Sequence, residues 1–495
     1  MNKSAGVLLG IAVAIGSISA GGAWYTGSNI EGALNTAIAD ANIELNAALV
    51  GSNGTASLEL VSFERHVFSS TAHYRLKGEG EMFGEAPVEV RFADHIEHGP
   101  LPFSRLVSFK WLPVMAASHF ELERTSLTEK WFVAAKDQSP LTGVINIEYD
   151  KSASGTLELL PLDVVLNDKS SLKFSGLNLD ITVSPLVQKL QAKLYMDSLI
   201  LSTGPENQPP VKVELKGLTI AGNRVKGTYG FYTGDDILEL AGSQTTYGAK
   251  QSVLGIKKIE LKNHSEQSGT TASVRSDYKV GDVSLNGKTI GSAQMAISLK
   301  NFDIPAILSL TQFYQAKLQA ASTEVAGEFS PDLALTPAEE VSIKTALENL
   351  LAAGPQVALD NLSLNTTNGE SHASLVLGLT KPQSLDLPAD QLALQLIALL
   401  DINVQVSKPM LVDLLSTQSQ LDGQTDANRI ADQATATADM FSSMAVGTQF
   451  AKLDGNNVVS KLHYANNQVE FNGQKMTAEE FADSMMSKLG GRDDD

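Results

Sequence analysis

The sequence predicts an α+β protein, predominantly antiparallel β in long meanders, with amphipathic helices in the C-terminal third and one N-terminal transmembrane helix. Three observations carry this. Apolar and polar residues alternate from about residue 56 to residue 300, the pattern of strands with one buried face. Helical spacing with good caps sets in near Asp303. One uncharged apolar stretch, Ala5 to Tyr25, lies between Lys3 and Glu31.

That stretch is just long enough to span, since about 20 helical residues cross a hydrocarbon core. Lys3 keeps its start in the cytoplasm by the positive-inside bias, and Trp24-Tyr25 suit the far interface. A cleaved signal peptide is the competing reading, with Ala20 and Ala23 as cleavage sites. Retention is favoured because the apolar stretch runs past Ala20 into a helical spacing of Ile30, Leu34, Ile38 and Ile43.

The strands follow in order. Leu58, Leu60 and Phe63 mark the first, and Val88, Val90 and Phe92 another. Val144, Ile145 and Ile147 come next, then Leu172, Phe174, Leu177, Leu179 and Ile181, then Val211, Val213, Leu215, Leu218 and Ile220. Gly204-Pro205-Glu206-Asn207 and Gly234-Asp235-Asp236 punctuate them as turns. Strands without helical crossovers indicate antiparallel meanders.

Asp303 caps a helix with Pro305 in its first turn and Ile307, Leu310, Tyr314 and Leu318 on one face. Thr336, Pro337 and Glu339 start the next, with Ile343, Leu347, Leu350 and Leu351 as its stripe and Gly354-Pro355 as its stop. Strands return at about 356–380 and 397–406. A helical stretch from about Ser407 to Phe450 breaks near Gly423 and places Ile430, Ala434, Thr437, Phe441 and Met444 on one face. A hairpin follows, Val458 to Tyr464 and Val469 to Phe471, turning at Asn466-Asn467, because asparagine tolerates positive φ. The last helix opens with a Thr477/Glu480 capping box and a Met476/Phe481 staple.

Composition narrows the function. Of 495 residues, 43% are hydrophobic, too many for a wholly disordered chain. No cysteine is present, which removes disulfides, thiol nucleophiles and cysteine-ligated metal centres. Lys+Arg 37 against Asp+Glu 56 gives a net charge of -19, which argues against a nucleic-acid partner.

The search for chemistry yields no catalytic, cofactor-binding or metal-binding residue, and no cofactor is expected. Asp94-His95-Ile96-Glu97-His98 is the densest polar cluster. Two imidazoles and two carboxylates can bind a metal or perform acid/base work. It reads as a strand exit before Gly99-Pro100, where His95 and His98 point to opposite sides. Gly287-Lys288-Thr289 lacks the upstream glycine of a phosphate loop and reads as a hairpin turn. Ser170/Lys173 and Ser276/Lys279 have acyl-enzyme spacing but lie in strand-like sequence, where i and i+3 diverge.

Several phrases occur together in order: Gly21-Gly22-Ala23-Trp24-Tyr25-Thr26-Gly27, Val67-Phe68-Ser69-Ser70, His98-Gly99-Pro100-Leu101-Pro102, Leu112-Pro113-Val114-Met115-Ala116, Tyr464-Ala465-Asn466 and Asn472-Gly473-Gln474-Lys475-Met476. The set resembles the YdgA-like family, with YihF, of bacterial inner-membrane-anchored periplasmic proteins of unknown function. The resemblance covers essentially the whole chain, strongest at its two ends. It implies a single anchor, a large periplasmic domain and self-association, and supplies no catalytic residues.

The expected organisation is a membrane anchor over 1–27 with a short cytoplasmic N-terminus, a strand-rich periplasmic region over 28–302, a mixed region over 303–490 packing on it, and an acidic tail over 491–495. The expected function is a non-catalytic envelope protein, held in the membrane by residues 5–25 and binding partners or lipid. One alternative is a homodimeric scaffold, using amphipathic helices and Met440, Met444, Met485 and Met486. Another is a metal-dependent hydrolase built on the Asp94–His98 cluster. If the helices after Asp303 cover the apolar strand face, no lipid groove exists. The acidic body is expected to project away from an anionic leaflet.

Overall fold

The computed structural model describes residues 30–49, 54–80, 83, 87–167, 170–204, 209, 211–323 and 335–490. The expected anchor over 5–25 and the acidic tail over 491–495 lie outside the described residues. Among the described residues no helix is long and apolar enough to cross a membrane. The chain divides into two compact units, one holding the residues up to Lys226 with Asp236–Val253, the other Gly227–Asp235 with everything from Leu254. The change of texture at Asp303 falls inside the second unit.

The first unit begins with α1 (Ile30–Ala48), β1 (Gly54–Arg65), β2 (Ser69–Gly80) and β3 (Val88–His98). It continues through α2 (Phe103–Val107), β4 (Ala116–Leu122), α3 (Glu129–Ala134), β5 (Leu141–Ile147) and β6 (Ala153–Leu159). Then come β7 (Leu162–Asn167), β8 (Ser170–Phe174), β9 (Leu177–Val183), β10 (Lys189–Thr203) and β11 (Val211–Lys226). Strands β1 to β6 pair in sequence, β9 pairs with β6, and β10 follows β9; every pairing is antiparallel. β8 extends the edge formed by β9 along β10, and β11 takes the other edge of β10. The short α2 and α3 fall in a region that reads in sequence as strands and turns without helices.

Helix α1 packs on the inner face of this sheet. Leu34, Ile38, Ala41 and Leu45 are buried against Leu58, Tyr74, Val90 and Phe92. The expected stripe is therefore corrected at Ile43, which is 68% exposed. The cause lies in two asparagines. Asn42 Nδ2 donates to the Leu58 carbonyl at 2.9 Å, and its Oδ1 accepts from the Leu58 amide at 2.6 Å. Asn46 donates to the Ala56 carbonyl at 3.1 Å. These bonds satisfy backbone groups of β1, which lies at the sheet edge, and they fix the rotation of the helix so that Ile43 faces out. A register shift between Leu60 and Ser62 explains the three-residue step to Phe63. The extra residue, Val61, turns outward, and Phe63 returns to the core side.

β12 (Tyr232–Tyr247) is divided between the units and carries Gly234-Asp235-Asp236 within it, so the expected turn there is corrected to strand. The second unit continues with β13 (Ser252–Ser268), β14 (Thr271–Leu285), β15 (Lys288–Asp303), α4 (Ile304–Thr323) and α5 (Pro337–Ala352). Next are β16 (Gln356–Asn365), β17 (Glu370–Leu379), α6 (Ala389–Leu396), β18 (Ile397–Ser407), α7 (Lys408–Leu421) and α8 (Ala427–Gly447). It ends with β19 (Lys452–Asp454), β20 (Asn457–Ala465), β21 (Gln468–Phe471), β22 (Gln474–Thr477) and α9 (Ala478–Gly490). Strands β13 to β18 pair in sequence and β20 joins β18, all antiparallel.

Several local signals match their structures. Thr336 and Glu339 form the capping box of α5, and the Glu480 carboxylate accepts from the Thr477 amide at 2.8 Å. Asp303 accepts from the Ala306 amide at 3.0 Å. Asn466 and Asn467 both have positive φ, as do Asn286 and Gly287 at the β14–β15 turn. Two helix faces are corrected. In α4, Ile304 and Ala306 are buried while Ile307 and Tyr314 are exposed; the Leu318 side chain lies outside the described residues. In α8 the buried line is Ile430, Ala434, Ala438 and Ser442, with Phe441 and Met444 outside. Small residues let that helix approach its neighbour closely, so counting bulky residues selects the wrong face.

Burial sorts the first prediction. Leu45→Ala should lower the stability of the first unit by about 2–5 kcal/mol, whereas Ile43→Ala should stay within about 0.5 kcal/mol. Urea unfolding of both variants checks this, and equal effects would refute the assigned rotation of α1.

Candidate functional site

The polar cluster singled out in sequence lies on β3 and is dispersed by the pleat. Asp94 points into the core at 2% exposure, where its Oδ1 accepts from the Ser118 hydroxyl at 2.7 Å. The Tyr74 hydroxyl faces the same carboxyl without reaching hydrogen-bond geometry. Burial pushes the Asp94 carboxyl up to about 6, against the pull of its hydrogen bonds. Burial likewise pushes the Tyr74 phenol well up, and the adjacent Asp94 charge adds to it.

His95 is on the outer face, paired across strands with His119 of β4. Glu97 serves α2: its carboxylate accepts from the Ser104 amide at 3.0 Å and from the Ser104 hydroxyl. His119 Nε2 lies 3.0 Å from that same hydroxyl oxygen, and burial holds its pKa below the usual imidazole value. His98 turns to the buried Ser70, with Nε2 3.0 Å from its hydroxyl, and burial depresses its pKa as well.

Ser104, His119 and Glu97 thus meet, which the sequence did not reveal because Ser104 sits on an unexpected helix. Their connectivity differs from an acyl-transfer triad. There the carboxylate holds the second nitrogen of the histidine and leaves the hydroxyl to the first. Here Glu97 takes the serine hydroxyl and caps the helix with the serine amide, 3.9 Å from His119 Nε2. The group borders an open polar depression of about 410 Å³ lined by Ser104, Arg105, Lys110, His119, Asn146 and Asp180. Among the described residues no three histidine, aspartate or glutamate side chains are placed to share a metal. Ser170/Lys173 and Ser276/Lys279 lie on β8 and β14, and Gly287-Lys288-Thr289 spans the β14–β15 turn.

The larger feature is in the second unit. Cross-strand register aligns large apolar residues on one face over many strands. One row runs Leu261, Tyr278, Met295, Leu362, Ala373 and Val404. The next reads Ile297, Leu359, Leu375, Ile402 and Leu462, and a third reads Val274, Leu299, Val357, Leu377, Leu400 and Tyr464. At the β20–β21 edge this face is covered: Phe481 and Met485 of α9 pack with Leu400, Leu462 and Tyr464. Away from that edge its residues stay partly exposed, Leu362 at 36%. Among the described residues of β13 to β17, the buried apolar side chains are Leu285, Ala296 and Ala358, none from these rows.

Helices α5 and α7 are hydrogen-bonded at the sheet's ends. Asn368, in the β16–β17 turn, donates to Asp413 of α7, and Lys288, at the β14–β15 turn, donates to Gln420 of the same helix. At the opposite end Asn301 donates to the Gly354 carbonyl after α5, and Lys381 after β17 donates to Glu348. Among the described residues, α9 covers this apolar face at one edge, where the Tyr464 hydroxyl also donates to the Leu394 carbonyl of α6 at 3.4 Å.

Asp94 gives the second prediction. Its folded pKa of about 6 exceeds the ordinary 3.8, so the folded state holds the proton more tightly than the unfolded state. Its ionisation therefore costs stability as pH rises from about 4 to about 6. A shift of about 2 units corresponds to about 3 kcal/mol. Asp94→Asn should gain on the wild type by roughly that amount between pH 4 and pH 7 in urea unfolding. A gap that is constant across this range would contradict the assignment.

Relatives span nearly the whole chain. Protein YdgA of Escherichia coli (strain K12) is 26% identical over 493 residues, covering 97% of this chain and 96% of that protein. The uncharacterized protein YihF of the same organism is 23% identical over 508 residues, covering 97% and 98%. An uncharacterized protein of Haemophilus influenzae is 20% identical over 320 residues, covering 62% of this chain and 85% of the relative. No solved structure matches. Over residues 1–479 the chain matches the family described as bacterial protein of unknown function (DUF945), and it belongs to that family.

Proposed function

We propose that this is a single-pass inner-membrane-anchored periplasmic protein without catalytic activity, and that the apolar sheet face of its second unit binds lipid acyl chains. One observation carries the reading: the rows from Tyr278 to Leu377 keep leucine, isoleucine, valine and methionine opposite one another on one face despite local register shifts, and these side chains stay partly exposed. Contiguous exposed apolar surface of this kind marks interaction sites. The apolar segment over 5–25 supports membrane attachment. Acyl chains suit the face because it is long and flat in chemistry, with few polar groups to orient a more functionalised ligand.

A second reading, the homodimeric scaffold, is favoured by α8, which leaves Met440, Phe441 and Met444 exposed on one side. Such a cluster suits a partner helix.

Native mass spectrometry of the full-length protein, extracted gently from its own membrane, tests both. Bound mass matching phospholipid is expected. Leu362→Asp should abolish it while lowering stability by less than about 1 kcal/mol, because that side chain is only partly buried. Absence of lipid from the wild type, or retention of it by Leu362→Asp, would refute the acyl-chain reading. A lipid-free dimer disrupted by Met444→Asp would favour the scaffold.

A further inference from the structure

The first unit carries a second apolar surface at one end of its sheet. The registers identify that end. Arg65 pairs with Ser70, Ser69 with Glu97, His98 with Ala116, Ala116 with Ile147, Ile147 with Ala153, and Ala153 with Val183. The β1–β2 turn, the β3–β4 loop, the β5–β6 turn and the turn after β9 therefore share one rim.

This rim exposes Phe68 at 82%, Phe109 at 80% and Trp111 at 64%, together with Phe103, Leu112 and Leu186. The β3–β4 loop that holds most of them is tightly built. Val114 donates to the Pro100 carbonyl at 2.9 Å and Gly99 to the Met115 carbonyl at 2.8 Å. Arg105 reaches Asn146 at 2.8 Å and the Leu112 carbonyl at 3.1 Å. A side chain at Gly99 would collide with the Val114 carbonyl oxygen. An ordered loop that points its aromatics outward forgoes about 1.5–3 kcal/mol per large side chain left in water, so its surface calls for a partner.

The partner follows from where α1 begins. Asn46 binds Ala56 and Asn42 binds Leu58, so α1 runs antiparallel to β1. Four helical residues rise about 6 Å, and two strand residues rise about 6.6 Å, so the two advance together. Continuing to Ile30 brings the start of α1 to the Arg65 end of β1, the same rim. The apolar segment over 5–25 immediately precedes that point. Exposed Arg65 and Lys110, with Lys189 after the β9 turn, add positive charge to this rim of an otherwise acidic chain. Glu148 and Asp150 lie farther along it, at the β5–β6 turn.

We infer that this rim is an interfacial membrane seat: Phe68, Phe109, Trp111 and Leu112 enter the headgroup region of the leaflet that the N-terminal segment leaves, with Arg65, Lys110 and Lys189 facing anionic headgroups. Aromatic residues favour that depth, an apolar surface flanked by cations binds there, and each cation near an anionic leaflet contributes about 1 kcal/mol. The inference rests on the membrane anchoring proposed above. It reverses, for this rim, the expectation that an acidic body stands away from the lipid.

The cysteine-free chain allows single reporters. Full-length Phe68→Cys, Phe109→Cys and Val133→Cys proteins carry an environment-sensitive fluorophore and are reconstituted into vesicles of phosphatidylethanolamine and phosphatidylglycerol. Val133 is an exposed apolar control on α3, at the opposite end of the sheet. The first two labels should shift to the blue and lose most of their emission to a lipid-borne quencher, while the Val133 label responds only to an aqueous quencher. Flotation reports the anchor separately. Floated protein with water-accessible labels at Phe68 and Phe109 overturns the seat and leaves the anchor standing. Protein that does not float overturns both. Labels shielded only in native membranes, and wet in pure lipid vesicles, indicate a protein partner and also overturn the seat.

Discussion

Although each ladder from β14 to β18 carries at least one register shift, Tyr278, Met295, Leu362 and Ala373 stand opposite one another, and so do Val274, Leu299, Val357 and Leu377. A slip of one residue in any ladder would send its apolar set to the other face. Where slips occur, as between Ala296 and Ile297 in the pairing of β15 with β16, a bulge on the partner strand restores the row, returning Leu359 opposite Ile297. Holding register through the irregularities keeps one face apolar across the sheet, and the proposed activity depends on that continuity.

The two units use the same strand chemistry differently. In the first, α1 lies on the apolar face and the core closes around Leu58, Tyr74 and Val90. Its orientation is set by polar bonds, since Asn42 and Asn46 hold the free edge of β1. In the second unit the middle of the apolar face stays partly exposed, apart from the α9 edge. Burying that surface would have been favourable at about 25 cal/mol per Å². Its exposure underlies the proposed lipid binding, and the outward aromatics of the β3–β4 loop underlie the proposed membrane seat.

Much of the fold was legible in the sequence because strand alternation and helix caps are local signals. The Thr336/Glu339 and Thr477/Glu480 boxes, the Asn466-Asn467 hairpin and the break at Gly423 all depend on a few adjacent residues. What escaped notice depends on distant partners. Ile43 fits the helical stripe until Leu58 claims Asn42, and Phe441 fits until Ala438 and Ser442 prove to be the close-packing side. The meeting of Ser104, His119 and Glu97 needed a short helix stabilised by a carboxylate seven residues upstream. The exposed loop did leave a trace: Phe103 to Leu112 is crowded with apolar residues.

The apolar face of the second unit is proposed to be accessible in the folded protein and occupied by lipid when the protein is isolated from the membrane. A single cysteine at Leu362, in a chain that has none of its own, reports this directly through its reaction rate with a water-soluble maleimide. Slow reaction is expected in gently extracted protein and fast reaction after exhaustive delipidation, with the same circular dichroism in both. Slow reaction in both states would mean that the chain itself covers the face, and would contradict the proposal.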